Sequence, residues 1–276
     1  MENERNGKAV YSDGREEVIP FGTTWLPEEK YCNDKKLVSI ALPNSMDSLC
    51  AWQFSYCPSL KSVTLPEGIT CIPLGAFENC AALEEINIPD SVTDIGESAF
   101  SGCSLLKEIE LSEALERITD HAFANCEGLK EIYIPENVKK VGIGAFVGCV
   151  NLERIAVDPL NPIYYDEGNC IIQREGLRLI AGCKGSIIPN VKVIGKSAFC
   201  GCDNLISVCI PDGVEVIEAW AFRCCKELCE VHIQKSVKLI DWMSFSECPK
   251  LTFYYDGKEQ EWAQICRETG VKILFL

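Results

Sequence analysis

The sequence predicts a repeat solenoid, and three observations predict it. A phenylalanine recurs at an interval of 23 residues, at Phe54, Phe77, Phe100, Phe123 and Phe146, and again at Phe199, Phe222 and Phe245. A cysteine follows each one three places later, at Cys57, Cys80, Cys103, Cys126, Cys149, Cys202, Cys225 and Cys248. The apolar residues between them hold the same phase from copy to copy. A fixed period of this length marks stacked repeats. The 276 residues could otherwise suggest two domains, but the register predicts one solenoid whose core grows by adding turns.

Residues 1–36 read as an N-terminal tail with a degenerate capping turn. Pro20, Leu26 and Tyr31 stand 23 places before Pro43, Leu49 and Phe54, and an open solenoid end has to be covered. Residues 1–7 are polar and are expected to fray. The regular array then runs over residues 37–255. In the copy built on Leu83, Ile86, Ile88, Pro89, Val92, Ile95, Ala99, Phe100 and Cys103, the pair Ile86 and Ile88 sits at strand spacing and faces inward. Glu85 and Asn87 then face out, and Pro89 ends the strand. Val92 and Ile95 predict a second short extended piece. Ala99, Phe100 and Cys103 predict a tight helical turn that closes the circuit.

The interval from Phe146 to Phe199 is two periods plus seven residues. Within it, Cys170–Ile172 and Leu177–Ile180 are short apolar runs joined through Gly176, which predicts a hairpin. This insertion, at about residues 158–187, is expected to be tolerated and open to shortening; the alternative reading is a functional protrusion. The array resumes at Ile188, Pro189, Val191, Ile194, Ala198 and Phe199. Residues 256–276 read as a C-terminal cap. Trp262, Ile265 and Cys266 predict a short amphipathic helix over 258–269 that Gly270 ends, followed by a strand over 271–276.

The copy at Leu129, Ile132, Ile134, Pro135, Val138, Val141, Ala145, Phe146 and Cys149 resembles the consensus of the BspA-like leucine-rich repeat family, with 23-residue repeats. The resemblance covers about residues 37–255. It implies a right-handed leucine-rich repeat solenoid with a concave parallel β-sheet of short strands and helical turns on the other side. It also implies an adhesion, host-interaction or binding role at the cell surface, as for surface proteins of anaerobic bacteria, and brings no catalytic residue. The run from Asn161 resembles an island segment found in many such arrays. The Tyr254-Tyr255, Gly257, Glu261-Trp262 ending resembles the family's C-terminal cap, although its Glu and Trp are adjacent here.

The net charge of −15 excludes the basic footprint that nucleic acid requires and disfavours anionic lipid surfaces. No apolar run reaches 18 residues, so membrane insertion is not expected. The start has no apolar signal region. The family resemblance points to the cell surface or secretion in the full-length protein, and the chain read as complete points to the cytoplasm. A buried cysteine is a small hydrophobe, so the eight ladder cysteines are expected to be buried and reduced. The ten others share no spacing that suggests a disulfide framework. So many free thiols suit a reducing cytoplasm or an anaerobic habitat. The group Cys200, Cys202, Cys224, Cys225 and Cys229 lacks the convergent pairs of a zinc site.

No metal or cofactor is expected. His121 and His232 lie several repeats apart with no nucleophile beside them, and no phosphate loop or dinucleotide fingerprint occurs. An enzyme is therefore not expected; a hydrolase with a shallow acidic site is the weakest alternative. The informative surface is the outward strand face, with the pairs Glu85 and Asn87, Glu108 and Glu110, Glu131 and Tyr133, then Arg154, and later Glu230 and His232. Stacked like charges are mildly destabilising. The column is either a solvated acidic face or a docking surface for a basic partner, with Tyr133 and Arg154 as anchors. The expectation is a monomeric module that binds a protein or other macromolecule through its concave face, at a cell surface or as an intracellular scaffold.

Overall fold

A computed structural model describes residues 5–266 and 272–275. The chain forms two compact units, residues 1–151 and 152–276, each built of β-solenoid turns. The first contains β1 (Gly7–Tyr11), β2 (Glu16–Ile19), β3 (Leu37–Ala41), β4 (Ser62–Thr64), β5 (Cys71–Ile72), β6 (Glu85–Asn87), β7 (Asp94–Ile95), β8 (Arg117–Ile118), β9 (Glu131–Ile134) and β10 (Lys140–Val141). The second contains β11 (Arg154–Val157), β12 (Tyr164–Glu167), β13 (Cys170–Gln173), β14 (Arg178–Gly182), β15 (Val193–Ile194), β16 (Ser207–Cys209), β17 (Val216–Ile217), β18 (Glu230–Ile233), β19 (Leu239–Ile240), β20 (Thr252–Tyr255), α1 (Glu259–Ile265) and β21 (Lys272–Phe275).

Each repeat contributes three sides to its turn. In the first unit, β3, β4 and β6 pair in parallel with Ile40, Val63 and Ile86 in one register and pointing inward. On the second side, β5, β7, β8 and β10 align Ile72, Ile95, Ile118 and Val141. The third side carries the phenylalanines. Rings from Tyr31 to Phe146 stack face to face with centroids 5.4–5.7 Å apart. Full burial of such a side chain contributes about 1.5–3 kcal/mol.

This third side is not helical. Ser98 and Gly102 take φ of 54° and 76°, and the same two columns are left-handed at Trp52 and Tyr56, Gly75 and Asn79, His121 and Asn125, and Gly144 and Gly148. A left-handed residue cannot continue a right-handed helix. Instead the N–H of Phe100 donates to Ala122 in the next turn at 2.8 Å, as Phe77 does to Ala99 and Phe123 to Ala145. The columns also pack side chain against glycine. The Trp52 ring lies on Gly75, His121 on Gly144, Asn79 on Gly102 and Asn125 on Gly148.

The ladder cysteines are donors as well as hydrophobes. In the first unit the thiols reach the backbone carbonyl of the aromatic residue 26 places earlier: Cys57 to Tyr31 at 2.9 Å, Cys80 to Phe54 at 2.9 Å, Cys103 to Phe77 at 3.2 Å and Cys126 to Phe100 at 3.2 Å. The expectation that all eight are buried needs correction, because Cys202 and Cys248 are only half-buried. The insertion precedes Cys202, so no in-register phenylalanine turn covers it.

Two further expectations change. The N-terminal segment is an antiparallel hairpin, β1 with β2, and β1 also pairs antiparallel to β3. It therefore covers the first strand edge of the ladder, and Gly7 is already in the strand rather than frayed. The insertion is a three-stranded meander, β12–β13–β14, whose last strand joins β15, β17 and β19 in parallel. Cys170, Ile172 and Leu179 are fully buried against Val191, Ile194 and Phe199. The insertion is thus core, and its removal would open that core. The second unit closes with α1, where Trp262 packs on Phe253 and Tyr255; β21 lies beside β20. The predicted Gly270 stop lies outside the described residues.

Candidate functional site

Strand alternation puts the predicted residues on the outward faces. In the first unit, Ser62 aligns with Glu85 and Thr64 with Asn87. Glu85, Asn87, Glu108, Glu110, Glu131 and Tyr133 are all exposed, Tyr133 at 45%. The strand ladder does not run through them unbroken. It stops at β6, and residues 107–111 form no strand. Elsewhere successive turns are joined by a repeated rung, Lys61 N–H to Val38 at 2.7 Å and Glu84 N–H to Lys61 at 2.9 Å. Lys130 donates to Lys107 at a stretched 3.3 Å. Among the described residues the rung from Lys107 to Glu84 is missing. Repulsion between Glu85, Glu108 and Glu110 on adjacent turns opposes its formation.

A shallow cleft of about 560 Å³ lies on the outward face of these turns, lined by residues 62–64, 84–87 and 107–110. Ile86 and Ile109 form its floor and are 8% and 9% exposed, against 4% for Val63. Four carboxylates, Glu84, Glu85, Glu108 and Glu110, share the lining with one ammonium, Lys107. Among the described residues, no cation lies within ion-pair distance of these four. The second side of the same turns is different: Asp94 pairs with Arg117, and Glu116 with Lys139 at 2.6 Å. Inter-turn pairing neutralises carboxylates there and leaves those of the cleft uncompensated.

The second unit carries the remaining candidates. Arg154 is exposed at the start of β11. His232 aligns with Cys209 on one side and Tyr254 on the other, and its ring stacks on Tyr254 at 4.6 Å. Its Nε2 lies 4.0 Å from Glu230. Sequence reading missed Tyr254, because β20 aligns 22 residues after β18 rather than 23. It also missed Glu84 and Lys107, which fall outside the alternating pairs. Among the described residues no group of three His, Cys, Asp or Glu side chains could hold a metal ion. Burial pushes the Cys103 and Cys126 thiols well up, and that of Cys170 up to about 12, which makes these three poor nucleophiles.

The model of the BspA-type leucine-rich repeat region matches residues 24–153 and 183–256 in six copies, together more than half of the chain. This chain belongs to that family. The stretch between the two matched segments, 154–182, holds the meander. Among solved structures, the chain is similar to a leucine-rich repeat protein from Eubacterium ventriosum, with 22% identity, TM-score 0.74, and coverage of 93% of this chain and 72% of that one. It is similar to a leucine-rich cell surface protein from Faecalibacterium prausnitzii, with 23% identity, TM-score 0.55, and coverage of 92% and 88%. It is also similar to the pneumococcal vaccine antigen PcpA, with 25% identity, TM-score 0.64, and coverage of 79% of this chain and 62% of PcpA. Among curated proteins, none matches the chain. Membership of this leucine-rich repeat family makes the chain a repeat module of the protein-interaction class.

Proposed function

We propose that this chain is a non-enzymatic binding module of a bacterial cell-surface protein, and that it docks a basic protein segment on the outward face of its first unit. One observation carries the reading. The carboxylates of Glu84, Glu85, Glu108 and Glu110 line one cleft and have no cation partner among the described residues, while carboxylates on the neighbouring side of the same turns are paired across turns. Clustered like charge contributes nothing to folding, and a basic partner relieves it. The negative potential also raises the encounter rate with such a partner, an effect that salt screens. Glu131 and Tyr133 extend the surface along the same face, and Tyr133 offers an exposed aromatic anchor. Arg154 and His232 belong to the second unit and stand as further contacts. Family membership, with a leucine-rich cell surface protein from Faecalibacterium prausnitzii among the similar structures, supports the cell-surface setting. Among the described residues no helix is long and apolar enough to cross a membrane.

The test is to identify a partner by cross-linking to the recombinant chain, then to measure its affinity for the parent and for Glu108→Gln/Glu110→Gln at low and high salt. Weaker binding with a shallower salt dependence is expected of the variant. Unchanged affinity and salt dependence would move the binding surface elsewhere.

A further inference from the structure

The left-handed columns on the third side of the first unit hold two residues that the backbone does not favour there. A left-handed φ suits Gly and Asn, and a bulky ring takes it only against steric strain. Neighbouring turns follow that preference with Gly75 and Asn79, and with Gly144 and Gly148. Trp52 and Tyr56, on one turn, do not, at φ of 54° and 57°. Burial does not account for them, since they are 47% and 49% exposed, while Gln53, Phe54 and Ser55 between them are buried. The strain and the exposed ring area both work against folding. Strained residues of this kind cluster where a surface has a task.

The surroundings of the two rings are low, rigid and polar. One face of the Trp52 ring rests on Gly75, and Gly102, Gly144 and Gly148 place no side chain on the turns that follow. The N–H groups of Trp52, Tyr56, Asn79, His121 and Asn125 each donate to the next turn at 2.7–3.0 Å, which fixes the frame beneath the side chains. The Tyr56 hydroxyl, the amides of Asn79 and Asn125 and the His121 imidazole have no partner within the chain among the described residues. Each of these groups offers both a donor and an acceptor. From Trp52 to Gly148 neither column carries Asp, Glu, Lys or Arg, although Asp and Glu number 41 in the chain. Glu78 and Glu97, beside Asn79 and Ser98 in the chain, give the columns an acidic border.

We propose that this surface, centred on Trp52 and Tyr56, binds a neutral polysaccharide. A sugar ring presents an apolar face of C–H groups and a rim of hydroxyls. The C–H face stacks on an aromatic ring that is held flat, and the polar edges of Trp and Tyr stay wet. Every sugar hydroxyl donates and accepts, and the tyrosine hydroxyl, the two amides and the imidazole match it in kind. A polymer suits the site because the columns repeat along the stack, with turns 5.4 Å apart at the ring column, so successive sugars meet successive turns. The acidic border repels polymers that carry carboxylate or sulfate groups. Contacts of this neutral kind also lack the salt dependence that screening gives to the acidic face. The surface lies on a different side of the turns from the acidic cleft and does not rest on the reading of that cleft.

The experiment is affinity electrophoresis of the unaltered protein in native gels that contain hydroxyethyl cellulose, glucomannan, arabinoxylan or soluble starch, with polygalacturonate as the acidic counterpart. Retardation by at least one neutral polymer and none by polygalacturonate is expected. Trp52→Ala, checked for folding by circular dichroism, should weaken that binding by about tenfold or more. Tyr56→Asn installs the residue that its column carries at Asn79. It should also weaken binding, yet melt no lower than the parent because the strain is relieved. Glu108→Gln/Glu110→Gln should bind the polymer as the parent does. Retardation by none of the neutral polymers, or by polygalacturonate alone, would overturn the proposal. Binding that survives in both Trp52→Ala and Tyr56→Asn would do the same, as would a lowered melting temperature of Tyr56→Asn, which would make the ring a structural element.

Discussion

Replacing Phe123 with alanine removes a ring from the middle of its column. Phe123 is fully buried, with Phe100 at 5.4 Å on one side and Phe146 at 5.7 Å on the other. Truncating a buried phenylalanine costs about 3–5 kcal/mol, with the cost set by how far the site can collapse. Collapse here is blocked on both sides. Phe123 N–H is held by Ala145 at 2.8 Å, Phe100 N–H by Ala122 at 2.8 Å, and the Phe123 carbonyl accepts from Cys149 at 3.0 Å. These bonds keep the turns at their spacing, so the void persists and two ring stackings worth about 0.5–1.5 kcal/mol each are lost. A loss in the upper half of the 3–5 kcal/mol range is expected. Urea unfolding followed by far-ultraviolet circular dichroism should show a lower midpoint with unchanged slope. A midpoint equal to the parent's would refute the premise that the column bears the core.

Gly148→Ala should destabilise by about 1–3 kcal/mol, since φ is 71° and the new Cβ would run into the Asn125 side chain; Gly176→Ala, at φ 75° in open space, should cost less in the same thermal melt. Deleting residues 164–182 should leave the second unit unfolded or aggregated by size-exclusion chromatography, because Cys170, Ile172 and Leu179 are core; a monomeric, cooperatively melting deletion would contradict that. In native thiol labelling, exposed Cys71 and Cys209 should react before buried Cys103 and Cys126, and fast modification of the latter pair would contradict the ladder. Burial raises the Cys170 thiol from 9.0 to about 12 and Cys183 to about 11. Their contribution is fully present below pH 9. It is lost as pH rises through the folded values, because the unfolded chain releases protons that the native chain keeps. Stability should therefore fall between about pH 9 and 12, by up to roughly 1.4 kcal/mol per pH unit for each such thiol, and a flat denaturation profile across that window would oppose the assignment.

The inward residues were legible in the sequence because a solenoid repeats one environment. Ile86, Ile95, Phe100 and Cys103 recur in phase, and periodicity reads such positions directly. The third side was misread as helical because Ala-Phe-x-x-Cys has helix-like spacing. The left-handed columns at Ser98 and Gly102 mix Trp, Tyr, Ser, His, Asn and Gly, and no single residue type marks them. The meander was read as dispensable because it breaks the period, yet Cys170–Ile172 is a continuous apolar run of the kind that buried strands carry. Of the candidate site, the outward acidic column was legible from alternation. The missing rung was not, because it depends on how three carboxylates on successive turns interact rather than on any one residue.

The central claim is that the first unit docks its partner through the outward strand face. Hydrogen exchange read by mass spectrometry, on the chain free and in complex with its cross-linked partner, tests that claim most directly. The account predicts slowed exchange at residues 62–64, 84–88, 107–111 and 131–134, with residues 71–72, 94–95 and 117–118 on the second side unchanged. Protection of the second side with no change at 84–88 and 107–111 would contradict it.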